Sequence, residues 1–190
     1  VRERNPVLEP FTGANHGFRL TDGSLDLVPF SLKEVYSDEY LQWMNDSRIT
    51  QTIGRLDYLL PVTREKLLDY FIGLDRESTL FLAIYLDGRL VGTFKIYGIN
   101  QVVGICSFGV LVGSKEDWGK GIASRAIAIA KSYAFDVLGL RKITAGYYST
   151  NLGMDKAFAK NGFAREGVFK EQIFTEGRLV DHVHVALFKP

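Results

Sequence analysis

The stretch Asp117-Trp118-Gly119-Lys120-Gly121-Ile122-Ala123-Ser124 combines residue types suited to holding a phosphate. It follows an apolar segment, Phe108 to Val112, and opens a run with apolar residues at Ile122, Ala126, Ile129/Ala130, Tyr133/Ala134 and Val137. That spacing of three to four predicts an amphipathic helix. Glycines at 119 and 121 let the backbone approach a ligand with no Cβ in the way. The first turn of a helix then offers unpaired N–H groups and the positive end of its dipole. A diphosphate fits such a strand, loop and helix. A plain turn before a core helix fits the same residues, so the loop alone leaves both readings open.

Two other glycine loops do not fit. A Walker A loop needs four residues between its first Gly and the Gly-Lys, then Ser or Thr. Here five residues separate Gly113 from Gly119, and Gly121 follows Lys120. A dinucleotide fingerprint needs a third glycine where Ser124 stands, and an acid at the end of the next strand. The segment Lys142 to Tyr148 holds no carboxylate.

Further motifs accompany the loop. The run Trp118-Gly119-Lys120-Gly121-Ile122-Ala123 resembles the acyl-CoA loop of the GCN5-related N-acetyltransferases (the GNAT superfamily), summarised as Q/R-x-x-G-x-G/A. Trp118 stands where that pattern has Gln or Arg, a departure familiar in the ribosomal-protein-acetyltransferase-like branch. Asn151 to Phe163 (NLGMDKAFAKNGF) resembles the family's N-x-x-S-x-x-x-Y-x-x-x-G-F helix. Asn151, Gly162 and Phe163 match, whereas Met154 replaces Ser and Phe158 replaces Tyr. Arg165-Glu166-Gly167, Phe174 to Arg178 and Asp181 resemble the same branch's last hairpin. The resemblance runs from about Leu25 to the C-terminus.

Composition agrees with a packed globule. The 190 residues are 46% hydrophobic and 13% aromatic, which predicts one domain over 18–190 preceded by an aperiodic arm over 1–17. A net charge of +1 supplies no field for nucleic acid or an anionic membrane. No apolar run approaches the ~18 residues of a membrane span, and residues 1–6 lack a signal-peptide core. One cysteine, Cys106, and three scattered histidines predict no disulfide and no metal. A cytoplasmic protein is expected. Exposed aromatics permit a homodimer without demanding one.

The elements that must position the loop follow from local patterns. Arg19 to Thr21 and Leu25 to Val28 read as short strands about Asp22-Gly23, and Ser37 and Thr63 as caps of two helices. Asn45 to Pro61 reads as an unpatterned connector. Leu80 to Leu86 and Leu90 to Tyr97 form a hairpin about Asp87-Gly88. Gln101 to Val112 is the next strand, with a bulge or close ligand approach suggested by Gly104 and Gly109. Gly139 ends the long helix. Lys142 to Tyr148 is a strand, Leu152 to Lys160 a helix, and Gly167 to Thr175 with Leu179 to Phe188 a final hairpin. The result is an α/β (α+β) fold: a mixed, mainly antiparallel sheet with helices on both faces, as the GNAT resemblance also implies.

The resemblance further implies that acetyl-CoA, as co-substrate, enters a splayed cleft between the strands Gln101 to Val112 and Lys142 to Tyr148. Backbone groups at Phe108, Val110 and Val112 would pair with the pantetheine amides, and Val110 or a neighbour would polarise the thioester carbonyl. Amides of Gly119, Lys120, Gly121, Ile122 and Ala123, beside Trp118, would hold the diphosphate, with Ser124 as a hydroxyl donor. Asn151 contacts the cofactor arm in the family, and as a helix cap it has an equally physical role here. Phe158 takes the cofactor-side position of the usual Tyr acid without its proton. The usual Glu base aligns with Ser107. The remaining acid–base candidates are Tyr148 (or Tyr147, by alternation), His182 and His184. Each has an ordinary structural reading beside the catalytic one. Trp43, Asn45 and Asp46 resemble an acceptor-side W-x-N-D cluster, or simply a core Trp and a helix end. The implied activity is direct acetyl transfer to a primary amine. The acceptor is a small metabolite such as a nucleotide-linked amino sugar, or alternatively a protein N-terminus. A non-catalytic acyl-CoA-binding regulatory domain and an unrelated nucleotide-binding domain are the readings from other classes.

Overall fold

The computed structural model describes residues 17–53 and 60–190. The expected arm over 1–17 therefore lies, except for Gly17, outside the described residues. Among the described residues the first elements are β1 (Leu20–Thr21) and β2 (Leu25–Pro29), then the short helices α1 (Leu32–Val35), α2 (Asp38–Asn45), α3 (Ser47–Thr50) and α4 (Arg64–Ile72). Then come β3 (Leu80–Leu86), β4 (Arg89–Asn100), β5 (Ile105–Val112), α5 (Ile122–Ser132), β6 (Lys142–Tyr148), α6 (Leu152–Lys160), β7 (Ala164–Thr175) and β8 (Arg178–Phe188). The eight strands form one sheet in the order β1-β2-β3-β4-β5-β6-β8-β7.

Neighbours pair antiparallel except β5 and β6, which run parallel. A parallel pair requires a crossover, and α5 supplies it. Asp87 (φ 48°) and Gly88 (φ 79°) make the tight β3–β4 turn, as their residue types predict. Some other expectations shift at their edges. The segment expected as one strand from Gln101 begins at Ile105, because Gly104 (φ 67°) turns the chain after β4 runs on to Asn100. Inside the supposed connector, Asp46 caps the four-residue α3 by accepting from Arg48 N at 3.0 Å.

Alternation divides the sheet residues between two layers. One face carries Phe94, Cys106, Phe108, Ile143, Ala145, Tyr147 and Val183 against Ile122, Ala126 and Ile127 of α5 and Phe158 of α6. The opposite face carries Phe81 and Ala83 against Tyr40, Trp43, Met44, Leu67 and Phe71 of α2 and α4. Thr144, Gly146 and Tyr148 of β6 belong to this second face, as do Ser107 and Gly109 of β5. The Arg125 guanidinium pairs both its ends with Asp22 at 2.7 Å and lowers that carboxyl to about 2. This ties the β1–β2 turn to the start of α5.

Candidate active site

The parallel pairing of β5 with β6 stops short. Its registers run from Ile105↔Lys142 to Phe108↔Ala145, while β6 continues to Tyr148 paired only with β8. On its other side β5 stays paired with β4 to Val112. Gly113 N donates to Val91 O at 3.0 Å, which sets the alternation of the β4–β5 ladder. By it, Thr93/Leu111 and Lys95/Gly109 exchange hydrogen bonds, and Val110 and Val112 turn their backbone groups the other way. The Val110 N–H and C=O therefore face a gap between two diverging strands. Phe108, by contrast, is the last rung of the parallel ladder, and its side chain is buried. Its backbone is not free, contrary to expectation. The Val112 carbonyl accepts from Trp118 Nε1 at 2.8 Å, so the half-exposed Trp118 ring ties the glycine loop to the mouth of the gap.

The loop is shaped by two left-handed glycines. Gly119 (φ 78°) and Gly121 (φ 81°) both take the left-handed conformation, and a Cβ at either position would meet open space. L-side chains are strained there, so the glycines are required by backbone shape and not by crowding. Gly121 caps α5, whose first internal bond runs from Arg125 N to Gly121 O at 3.0 Å. The amides of Gly119, Gly121, Ile122, Ala123 and Ser124 have no hydrogen-bond partner among the described residues. The Lys120 amide differs: it donates inward to Asp117 O at 3.3 Å, and its ammonium bonds Asp117 Oδ1 at 3.2 Å. It does not join the row of outward amides expected of it.

Ser124 is oriented by a residue that the motifs did not single out. Asn161, buried at the end of α6, donates from Nδ2 to Ser124 O at 2.9 Å and to Ser124 Oγ at 3.2 Å. With its oxygen accepting from Asn161, the Ser124 hydroxyl is left to donate outward. Asn151 caps α6 through Oδ1, which accepts from Met154 N at 3.1 Å. Its Nδ2 makes no hydrogen bond among the described residues, so capping leaves the donor end available. Phe158 is 2% exposed and packs among Tyr147, Phe163 and the main core. Its side chain belongs to the core, where the sequence reading expects a cofactor contact.

The acid–base candidates separate by face. Tyr147 points to the α6 side, where its hydroxyl donates to Asp155, itself held by Arg165 at 3.0 Å. Tyr148 points to the opposite face. Its side chain is buried, yet its hydroxyl has no protein partner and keeps contact with solvent. Burial raises its pKa and keeps it protonated. Beside it, His182 lies across Gly146, where a Cβ would come 2.7 Å from Nε2, and His182 Nδ1 sits 3.0 Å from His184 Nε2. Burial, with the His184 ring second, lowers the His182 pKa and favours the neutral base. Ser107 shares this face, fixed by a 2.7 Å bond to Thr144 Oγ1. Cys106 is buried on the helix side, its thiol pushed up to about 12 by desolvation, so it is no nucleophile.

The acceptor-side cluster is used for structure. The Asn45 amide donates to Val62 O at 2.9 Å and its oxygen accepts from Val62 N at 2.8 Å, which clamps the entry to α4. Asp46 caps α3 and pairs with Lys115. Trp43 is buried beneath Gly113. No helix among the described residues is long and apolar enough to cross a membrane. No cluster of metal-ligating side chains occurs among them either.

A gap in the sheet facing a glycine loop at a helix start is the geometry the sequence motifs imply, and comparison with known proteins agrees. Residues 25–164 match the family model of the acetyltransferase (GNAT) domain. The chain is 29% identical over 135 residues to the probable N-acetyltransferase YjcK of Bacillus subtilis, covering 70% of this chain and 75% of that one. It is 30% identical over 113 residues to spermidine N(1)-acetyltransferase of Escherichia coli, spanning 60% of each. The fold matches Vibrio cholerae spermidine N-acetyltransferase, solved with CoA and spermine, at a TM-score of 0.76 and 21% identity over 87% of this chain and 95% of that one. It matches RimL, a ribosomal L7/L12 α-N-protein acetyltransferase solved with coenzyme A, at 0.78 and 15% identity over 90% and 97%. Loop, splayed strands and family model together make this chain a member of the GNAT family, an N-acetyltransferase.

Proposed function

We propose that this enzyme transfers acetyl from acetyl-CoA directly to a primary amine of a small, hydroxyl-rich metabolite, such as a nucleotide-linked amino sugar. The left-handed glycines and five unpartnered amides at 119 and 121–124 suit the diphosphate. The Val110 C=O and N–H suit an extended amide arm lying in the gap, as an added half-strand. Acetyl-CoA supplies an activated thioester carbon. The amine nitrogen bonds to that carbon, the carbon–sulfur bond breaks, and the sulfur leaves as a thiolate. His182 accepts the proton that the amine loses, with His184 holding its ring. Tyr148, kept protonated by burial, gives its proton to the thiolate.

The observation that carries the acceptor class is a bond across the second face. Thr175 Oγ1, at the tip of the β7–β8 hairpin, donates to Gln51 O beyond α3 at 3.1 Å. It joins the two walls of that face, which favours a bounded pocket over an open peptide groove. Tyr97, Ser107, Thr144 and Tyr148 give this face hydroxyls suited to a sugar, whereas a polyamine calls for carboxylates. A protein N-terminus remains the second reading, favoured by the likeness to RimL.

Thiol release measured with nucleotide-linked amino sugars, spermidine and an alanine-initiated peptide tests this. The amino sugars should give the highest kcat/KM, and preference for the peptide or spermidine would overturn the acceptor assignment. With the best acceptor, kcat should fall as pH drops through a value below the ordinary ~6.5 of histidine. His182→Gln should lower kcat by about a hundredfold and abolish that acid limb. An unaltered limb in this variant would remove His182 from the proton path.

A further inference from the structure

Beneath the glycine loop lies a carboxylate to which the motif gives no role. Asp117 is 1% exposed. Its Oδ2 accepts from Ser114 Oγ at 2.5 Å and from the Arg89 guanidinium at 2.9 Å, and its Oδ1 accepts from Lys120 Nζ at 3.2 Å. Its own N–H donates to Ser114 O at 3.1 Å, and its carbonyl accepts from Lys120 N. One residue thus grips the chain before the loop (Ser114), the centre of the loop (Lys120) and the β3–β4 turn (Arg89). Arg89 reinforces the grip by reaching Ser114 Oγ at 3.2 Å and Glu116 at 3.0 Å.

The consequence is directional. The Lys120 N–H and ammonium both bond Asp117, although the side chain lies along the surface, and left-handed Gly119 and Gly121 on either side let the adjoining peptide units reverse. The Gly119 and Gly121 amides are then left without partners, turned away from the knot. A buried carboxylate with three donors is also rigid, since losing any of them leaves charge unpaired in a low dielectric.

We propose that Asp117 is the positioning residue of the phosphate loop: by holding Lys120 it presents the neighbouring amides to the diphosphate of the acyl donor. This inference rests on the acyl-CoA reading above. It predicts a selective defect, because S-acetyl-pantetheine carries the same thioester and amide arm without the diphosphate.

The test compares kcat/KM for acetyl-CoA and for S-acetyl-pantetheine in the wild type, Asp117→Asn and Arg89→Met. Asn presents an N–H₂ group to donors that had faced an oxygen, at a site where hydrogen bonds to charge are strong. The ratio of the two constants should fall about tenfold or more in Asp117→Asn, mainly through KM for acetyl-CoA, and by less in Arg89→Met. Should Asp117→Asn fail to fold, Arg89→Met, altered at a half-exposed side chain, carries the same prediction. An equal loss with both donors would make Asp117 a general fold residue and overturn the inference. So would an unchanged ratio with no loss. Absence of turnover by the wild type with either thioester would overturn the acyl-CoA reading itself, and this inference with it.

Discussion

Val110→Pro is expected to lower kcat/KM for acetyl-CoA by about a hundredfold or more while leaving the sheet folded, the size of effect seen when a preorganised backbone donor is removed. Proline deletes an N–H that faces the gap between β5 and β6. That N–H takes no part in the β4–β5 ladder, because the exchanging pairs are Thr93/Leu111 and Lys95/Gly109. The position behaves locally as a sheet edge, where proline is tolerated. The preceding residue is Gly109, which accepts the restriction proline imposes on its neighbour. A fall in Tm of about 4–8 °C is expected, corresponding to a cost of ~2 kcal/mol in a domain of this size. Leu111→Pro, one residue on, should unfold the protein, because its N–H lies in the ladder. Equal stability losses in the two variants, or full activity in Val110→Pro, would mean that the strands do not part where the registers indicate.

Gly113→Ala should be the most destabilising single-methyl change at the end of β5. A Cβ there would lie 2.0 Å from Trp43 Cδ2 and 2.2 Å from Cε3, inside the van der Waals radius of a buried ring. Neither β5 nor α2 can retreat freely, because Gly113 N is bonded to Val91 O and Asn45 clamps the end of α2 to Val62. Overpacking of this kind costs about 3 kcal/mol or more. Trp43→Ala alone should cost about 3–5 kcal/mol by opening a cavity. In that background Gly113→Ala should cost less than ~1 kcal/mol, a coupling of about 2–3 kcal/mol in a double-mutant cycle read by urea unfolding. Additive losses would contradict the contact. The cycle also bears on function, because Trp43 packs against Gly113 at the β5 end of the gap.

The elements with the clearest local patterns are those the sequence predicts best. The β6 strand Lys142–Tyr148 and the α6 helix Leu152–Lys160 are found at the expected residues. Strand alternation and the Asn151 cap are local signals, and here nothing in the tertiary structure overrides them. Boundaries drift where the signal is weak. Helix α3 is one turn long, too short for a hydrophobic period, and only its Asp46 cap could have revealed it. What alternation alone cannot decide is which face of a strand looks where. Tyr147 and Tyr148 are indistinguishable until the pairing of β6 with β8 puts Tyr148 opposite His182. Nor does a motif distinguish a group that meets the ligand from one that shapes the loop. Asn45, Asp46 and Asp117 each sit within a motif-like run, yet all three are engaged by other protein groups. The Lys120 amide shows the same limit: a glycine-rich sequence announces that some peptide units will reverse, but not which.

Thermal unfolding with acetyl-CoA, CoA, ATP or NAD at equal millimolar concentration tests the central claim most directly. A ligand that binds only the native state raises Tm by mass action, about 2.7 kcal/mol at a hundred times Kd, or ~5–10 °C here. Both CoA species should produce that shift, through the loop at Gly119 to Ser124 and the gap at Val110, while ATP and NAD should produce none. A flat response to acetyl-CoA and CoA, or an equal response to all four, would contradict an acyl-CoA site at this loop.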